Sequence, residues 1–296
     1  MNQREKTVFE SSGLNYTVSK RKFHLPSIGE TNYYAIVNDT TEQVISTCKE
    51  RYKVMQNTEV MEVIKNIFPN SELTTCGHFD NGGKTFHFLK STKESMYLGS
   101  EEVNFFYYVL NSHDGSSGLR FGIASMVVSC SNIFSTLPGD SLFCLKHTTN
   151  LEENASVKAQ IISSLDEVME SQKHTFHDWF CTRMSTEDVH SMQSEVIIKK
   201  AMGIDHRIPT NKLSAKQTVR FNEIKQCCID EMRNKGYNLF GYYNGFTYYC
   251  TNTLGERSTK NNVSPYKTVL KGVGNEIATR AFKAVNILYE SRQQPS

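Results

Sequence analysis

Residues 73–90 read LTTCGHFDNGGKTFHFLK, and the fold class turns on them. LTTCGHFD and KTFHFLK are strand-like runs on either side of Asn81-Gly82-Gly83. An Asn-Gly pair adopts the positive φ angles of a tight turn, so the stretch predicts a β-hairpin. Residues 103–134 continue as VNFFYYVLNSHDGSSGLRFGIASMVVSCSNIF. Here Phe105 to Leu110 reads as a strand, HDGSSG as a turn, and Leu119 to Cys130 as another strand. At least four consecutive strands with short connections imply a largely antiparallel meander.

On the N-terminal side, ordered structure is expected to begin at Tyr33-Tyr34-Ala35-Ile36-Val37, with residues 1–30 a polar arm. A helix is expected from Glu59 to Ile67, capped by Asn57 or Thr58 and stopped by Pro69. On the C-terminal side the pattern becomes helical after Pro138-Gly139-Asp140, with Asn150 as an N-cap. Ile161, Ile162, Leu165, Val168, Met169, Phe176, Trp179 and Phe180 recur at helical spacing. Ser185 with Asp188 and Ser214 with Gln217 read as capping boxes, and Gly236 as a helix stop. Tyr237 to Tyr249 reads as a helix–loop or a strand, Glu256 to Asn262 as a polar loop, and Ile277 to Tyr289 as a final helix. The expected class is α+β, an antiparallel, hairpin-rich sheet packed with several helices. Its organisation is an arm over 1–30, one α+β domain over 31–255 (β-rich 31–149, helical 150–255), and a basic helical segment over 256–296.

The chain has 296 residues, 38% hydrophobic and 22% charged, a globular balance that argues against disorder. No run approaches the roughly 20 apolar residues of a membrane-spanning helix, and no apolar h-region marks a secretory signal. None of the eight cysteines sits in a C-x-x-C pair or at zinc-finger spacing, so reduced thiols and a cytoplasmic setting are expected. The net charge of +2 hides an uneven distribution. Residues 199–296 hold 16 Lys and Arg against 7 Asp and Glu, a surplus of 9. The remainder holds 17 against 24, a deficit of 7. That pattern fits a polyanion partner, oppositely charged neighbours in an oligomer, or compensation within the chain.

His113-Asp114-Gly115-Ser116 is the sharpest local feature. A His beside an Asp can serve as metal ligand or general base, with His147 the nearest further candidate. The plainer reading has Asp114 and Ser116 bonding turn backbone while His113 packs inside. No P-loop, dinucleotide fingerprint, nucleophile elbow or metalloprotease motif is present. No catalytic residue, metal site or cofactor is therefore expected. Nucleic-acid features are more numerous. Lys84 and Lys90 alternate with aromatics on the hairpin; Tyr107 and Arg120 fall on adjacent strands. Lys199, Lys200, Arg207, Lys212, Lys216 and Arg220 form the densest basic run. Phosphates attract such cations, and unpaired bases stack on flat rings.

Three motifs in order resemble a known family. Asn111-Ser-His113-Asp114-Gly115-Ser116-Ser-Gly-Leu-Arg120, Val127-Val-Ser-Cys130-Ser-Asn132 and Lys146-His147-Thr148 look like the core signature of a phage- and plasmid-borne family, domain of unknown function 932. Tyr52-Lys-Val-Met-Gln56-Asn57 resembles its upstream motif. Leu239-Phe240-Gly-Tyr-Tyr-Asn244-Gly-Phe-Thr247-Tyr248-Tyr249 resembles its closing one, with Phe240 in place of Trp and Tyr248 in place of Glu. The resemblance spans about residues 33–251. The family carries no assigned activity, but its setting in mobile elements implies DNA metabolism. Its order of elements is similar to RecT- and Redβ-type single-strand annealing proteins, an analogy of fold only. The resulting expectation is a non-enzymatic, ATP-independent protein of phage or plasmid type. It would form homo-oligomeric rings or filaments in the cytoplasm (the host's, if phage-encoded), bind single-stranded DNA or RNA and anneal it. Two rival readings stand beside it: a metal-assisted enzyme around His113, Asp114 and His147, and an interaction module such as an inhibitor of host defence.

Overall fold

The computed structural model describes residues 1–25, 29–127, 132–135, 143–145, 155–260 and 265–294. The chain groups into two compact units. The first comprises Met1–Glu94, Phe105–Ile123 and Gly139–Val168; the second comprises Ser95–Asn104, Ala124–Pro138 and Met169–Ser296.

The chain opens with α1 (Gln3–Ser11), then β1 (Val18–Leu25), β2 (Gly29–Asn38) and β3 (Gln43–Lys49), which pair antiparallel in the order β1-β2-β3. The expected polar arm is thus a helix and a strand. Asn2 and Glu5 cap α1 reciprocally. Glu5 is buried, pairs with Lys65, and accepts a bond from Leu73 N at 3.0 Å. Those partners lie 60 or more residues away, so nothing in the local composition announces them. Next comes α2 (Asn57–Ile67), which buries Val60, Met61, Ile64 and Ile67. Its N-cap is Gln56, in a capping box with Glu59, rather than Asn57 or Thr58. Pro69 follows its end, where a helix cannot continue.

The second sheet is built from β4 (Ser71–Phe79), β5 (Lys84–Leu98), β6 (Glu101–Ser112), β7 (Leu119–Val127), β8 (Asn132–Ser135) and β9 (Phe143–Leu145). Its order is β4-β5-β6-β7-β8, with β9 also paired to β7. The β4–β5 hairpin is the expected one: Asp80, Asn81 and Gly82 take φ of 56°, 53° and 84°. Tyr16 closes over that turn, its hydroxyl donating to Gly82 O at 2.9 Å. Ile36, Val60, Ile64, Leu73, Leu89, Val109 and Phe121 form the core of the first unit.

Helices follow: α3 (Ala155–Cys181), α4 (Thr186–His190), α5 (Met192–Ala201), α6 (Ala215–Lys235), α7 (Leu239–Tyr248), α8 (Leu254–Lys260), α9 (Pro265–Leu270) and α10 (Val273–Gln293). The expected capping boxes at Ser185–Asp188 and Ser214–Gln217 are formed, and Gly236 closes α6 at φ 103°. The ambiguous segment after Tyr237 is a helix, and the expected polar loop at 256–262 is largely α8. The proposed cap at Asn150 lies outside the described residues. Phe176, Trp179, Phe240, Tyr243 and Phe246 make the aromatic core of the second unit. Within it, α7 packs against α6 with no room to spare: a Cβ on Gly245 would fall 2.3 Å from Cys228 Cα. The fold is α+β. No described helix is long and apolar enough to cross a membrane.

Candidate functional site

The signature motif sits where β6 ends, in the first unit. Gly83 O, in the β4–β5 turn, accepts from His113 N at 2.8 Å and Asp114 N at 3.2 Å. Beyond the strand end, His113 and Asp114 turn to different partners. His113 is fully buried. Asn57 Nδ2 donates to Leu14 O (3.0 Å) and Tyr16 O (3.3 Å), which fixes its amide and leaves Oδ1 as acceptor. His113 Nε2 therefore donates to Asn57 Oδ1 at 2.9 Å, setting the tautomer. Tyr52 donates its hydroxyl to Ser112 O at 2.9 Å. The upstream and central motifs meet as one buried network.

Asp114 turns to the hairpin. Lys84 Nζ lies 2.8 Å from its Oδ2, Ser116 N donates to Oδ1 at 2.9 Å, and Ser112 Oγ donates as well. Burial pulls the carboxyl upward, but the Lys84 ammonium and serine donors outweigh it and hold it well below the usual range. The plainer reading of the turn thus describes the geometry: Asp114 ties backbone and His113 packs. The metal-assisted alternative required His113, Asp114 and His147 to converge. His113 and Asp114 serve separate networks, and His147 lies outside the described residues. Asn132 pairs with Val127 in the β7–β8 ladder. Among the described residues no group of three or more His, Cys, Asp or Glu is placed to hold a metal. His87, on the hairpin strand β5, is a second fully buried imidazole. Burial pushes it down to about 3, so it is neutral at physiological pH.

The nucleic-acid candidates separate sharply. Three are corrected by their surroundings. Tyr107 is buried, stacked on Phe68 at 4.4 Å, with its hydroxyl donating to Asp166 at 2.7 Å. Its ring is unavailable to a base. Lys84 is only 14% exposed and is committed to Asp114 and Asp80. Lys199 is buried and pairs with Glu195 at 3.6 Å. Others are partly engaged. Lys90 is half-buried opposite Glu72, Arg220 is half-buried, and Arg120 is half-buried with a buried Nε that finds no partner. Arg207 is exposed, but Asp205 holds its guanidinium at 2.8–3.2 Å. Lys200, Lys212 and Lys216 are exposed, and no described carboxylate pairs with them. All three belong to the second unit, around the end of α5 and the start of α6.

The closing motif lies on α7, and most of it is buried. Asn244 Nδ2 donates to Phe240 O at 2.8 Å, and Thr247 Oγ1 donates to Asn244 O at 2.9 Å, all inside the helical core. A family model described as "Domain of unknown function (DUF932)" matches residues 44–270. No curated protein and no solved structure matches the chain.

Proposed function

The chain belongs to the domain of unknown function 932 family, and on that footing we propose that it binds single-stranded DNA and promotes annealing of complementary strands without ATP. The observation that carries this reading is a set of exposed lysines on the helical unit, in a basic stretch of sequence. Residues 199–296 hold a surplus of 9 positive charges, and within it Lys200, Lys212 and Lys216 stand exposed with no carboxylate partner among the described residues. Cations so placed release counterions from phosphates, a driving force that needs no sequence preference. Neutralising phosphate charge also lowers the repulsion between two strands and so speeds their pairing, which suits an annealing protein.

The order of elements, hairpins first and long helices after, supports a likeness to single-strand annealing proteins at the level of fold. The reading includes assembly of copies along the strand and a cytoplasmic place of action. Fluorescence anisotropy with a labelled single-stranded oligonucleotide, followed by annealing of its complement, tests it. The expected outcome is binding that weakens steeply with salt and annealing faster than in buffer alone. Absence of binding at low salt would overturn the proposal.

A further inference from the structure

The three-stranded sheet β1-β2-β3 carries what the helical cations lack: an exposed aromatic ring with a cation directly across the ladder. Tyr33 and Lys49 are cross-strand partners, so their side chains leave the sheet on one side. Tyr33 is 52% exposed. Lys49 is exposed too, and no described carboxylate pairs with it. The adjoining row on the same side is Arg21, Ala35 and Thr47. Ala35 is small and buried beneath that row, while Thr47 is exposed and Arg21 is held to Asp39 at 2.9 Å and Glu42 at 3.4 Å. The opposite side is the packed one: it carries buried Ile36 and Cys48, and Ser46, whose Oγ donates to His113 O at 3.4 Å.

We propose that this outer face contacts single-stranded nucleic acid, with one unpaired base stacked on Tyr33 and the adjoining phosphate held by Lys49. The inference rests on the single-strand-binding reading above and adds the base contact to it. An aromatic ring on a sheet face accepts any base by its π-surface, and a neighbouring ammonium neutralises the backbone. Bases already paired in a duplex cannot stack there, so the face discriminates against double strands.

The test uses the full chain and an oligodeoxythymidine carrying single 5-iododeoxyuridine residues. Photocrosslinking should attach the probe to the peptide containing Tyr33. Tyr33→Ala should weaken anisotropy-measured binding about five- to 150-fold, the range of one lost stacking contact. Tyr33→Phe should restore it, and neither should change the salt slope. Lys49→Ala should reduce the slope by about 0.7, one phosphate contact on a single strand. If the wild type binds but Tyr33→Ala and Tyr33→Phe bind equally well, or crosslinks map only elsewhere, the sheet face is overturned and the binding function stands. If the wild type does not bind, both fall together. Because Tyr33→Phe keeps the ring, the crosslink still decides the matter if the alanine variant fails to fold.

Discussion

His113 gives its Nε2 proton to Asn57 Oδ1 across 2.9 Å, joining two sequence motifs that lie 56 residues apart. Asn57 also donates to Leu14 O and Tyr16 O, so one amide ties α2, the entry to β1 and the signature turn together. Asn57→Ala would strand two carbonyls and an imidazole N–H in the interior. Buried groups left without partners cost roughly 1–3 kcal/mol each, so a loss of about 3 kcal/mol or more is expected. Urea unfolding would register it as a lower midpoint. A midpoint within error of the wild type would show that the network carries no stability.

His87 gives the fold an acid sensitivity. Its folded value of about 3 lies far below the 6.5 of an ordinary imidazole. Between those values the unfolded chain binds a proton that the folded chain refuses. The stability contribution is therefore complete above about pH 6.5 and declines as pH falls toward 3, by up to about 1.4 kcal/mol per pH unit. His87→Phe should flatten the melting-temperature profile over that window relative to wild type. Parallel profiles would place the acid sensitivity elsewhere.

Asp114 acts on the other side of the same turn. Its folded carboxyl is held below the ordinary 3.8, so its contribution is present above that value and lost as pH falls below it. Lys84→Met removes the ammonium that is the largest single contributor to the holding. A loss of about 1.5–3 kcal/mol at pH 7 is expected, the scale of a charge-assisted bond. DNA affinity should hardly move, since Lys84 is spent on Asp114 and Asp80. A variant of wild-type stability with weakened binding would return Lys84 to the binding surface.

Gly245→Ala should be among the most damaging single changes in the second unit. The added methyl meets Cys228 Cα at 2.3 Å and Cys228 N at 2.4 Å, backbone that can yield only if α6 and α7 separate. Overpacking of that kind costs typically 1–3 kcal/mol or more. The check is soluble yield with a circular-dichroism melt, set against Gly115→Ala. Gly115 has open space around it but a φ of 69°, so a smaller loss is expected there. Equal behaviour of the two variants would contradict close helix packing as the reason for Gly245.

What the sequence made legible was local. The hairpin at residues 80–83 and the two capping boxes depend on residues within four positions of each other, and all are present. What it hid was which way a side chain faces once elements pack. Tyr107 and Tyr108 sit on successive strand positions, and both are buried, because the sheet is covered on both sides there. Lys199 and Lys200 look equivalent as a dipeptide, yet successive helical residues diverge by about 100°. One joins Ile197 and Ile198 inside and the other reaches solvent. The N-terminal segment was misjudged for the same reason. Its polar composition is real, but Glu5 is buried by partners contributed from α2 and β4.

The most direct measurement is the salt dependence of single-strand binding for the wild type and for a Lys200→Ala, Lys212→Ala, Lys216→Ala triple variant. Each lost phosphate contact on a single strand should reduce the slope of log K against log salt by about 0.7, so the triple variant should lose about 2. Its melting temperature should match the wild type, because all three side chains are exposed and none pairs with a described carboxylate. A wild type with a flat salt response, or a triple variant with an unchanged slope, would contradict binding through the helical surface.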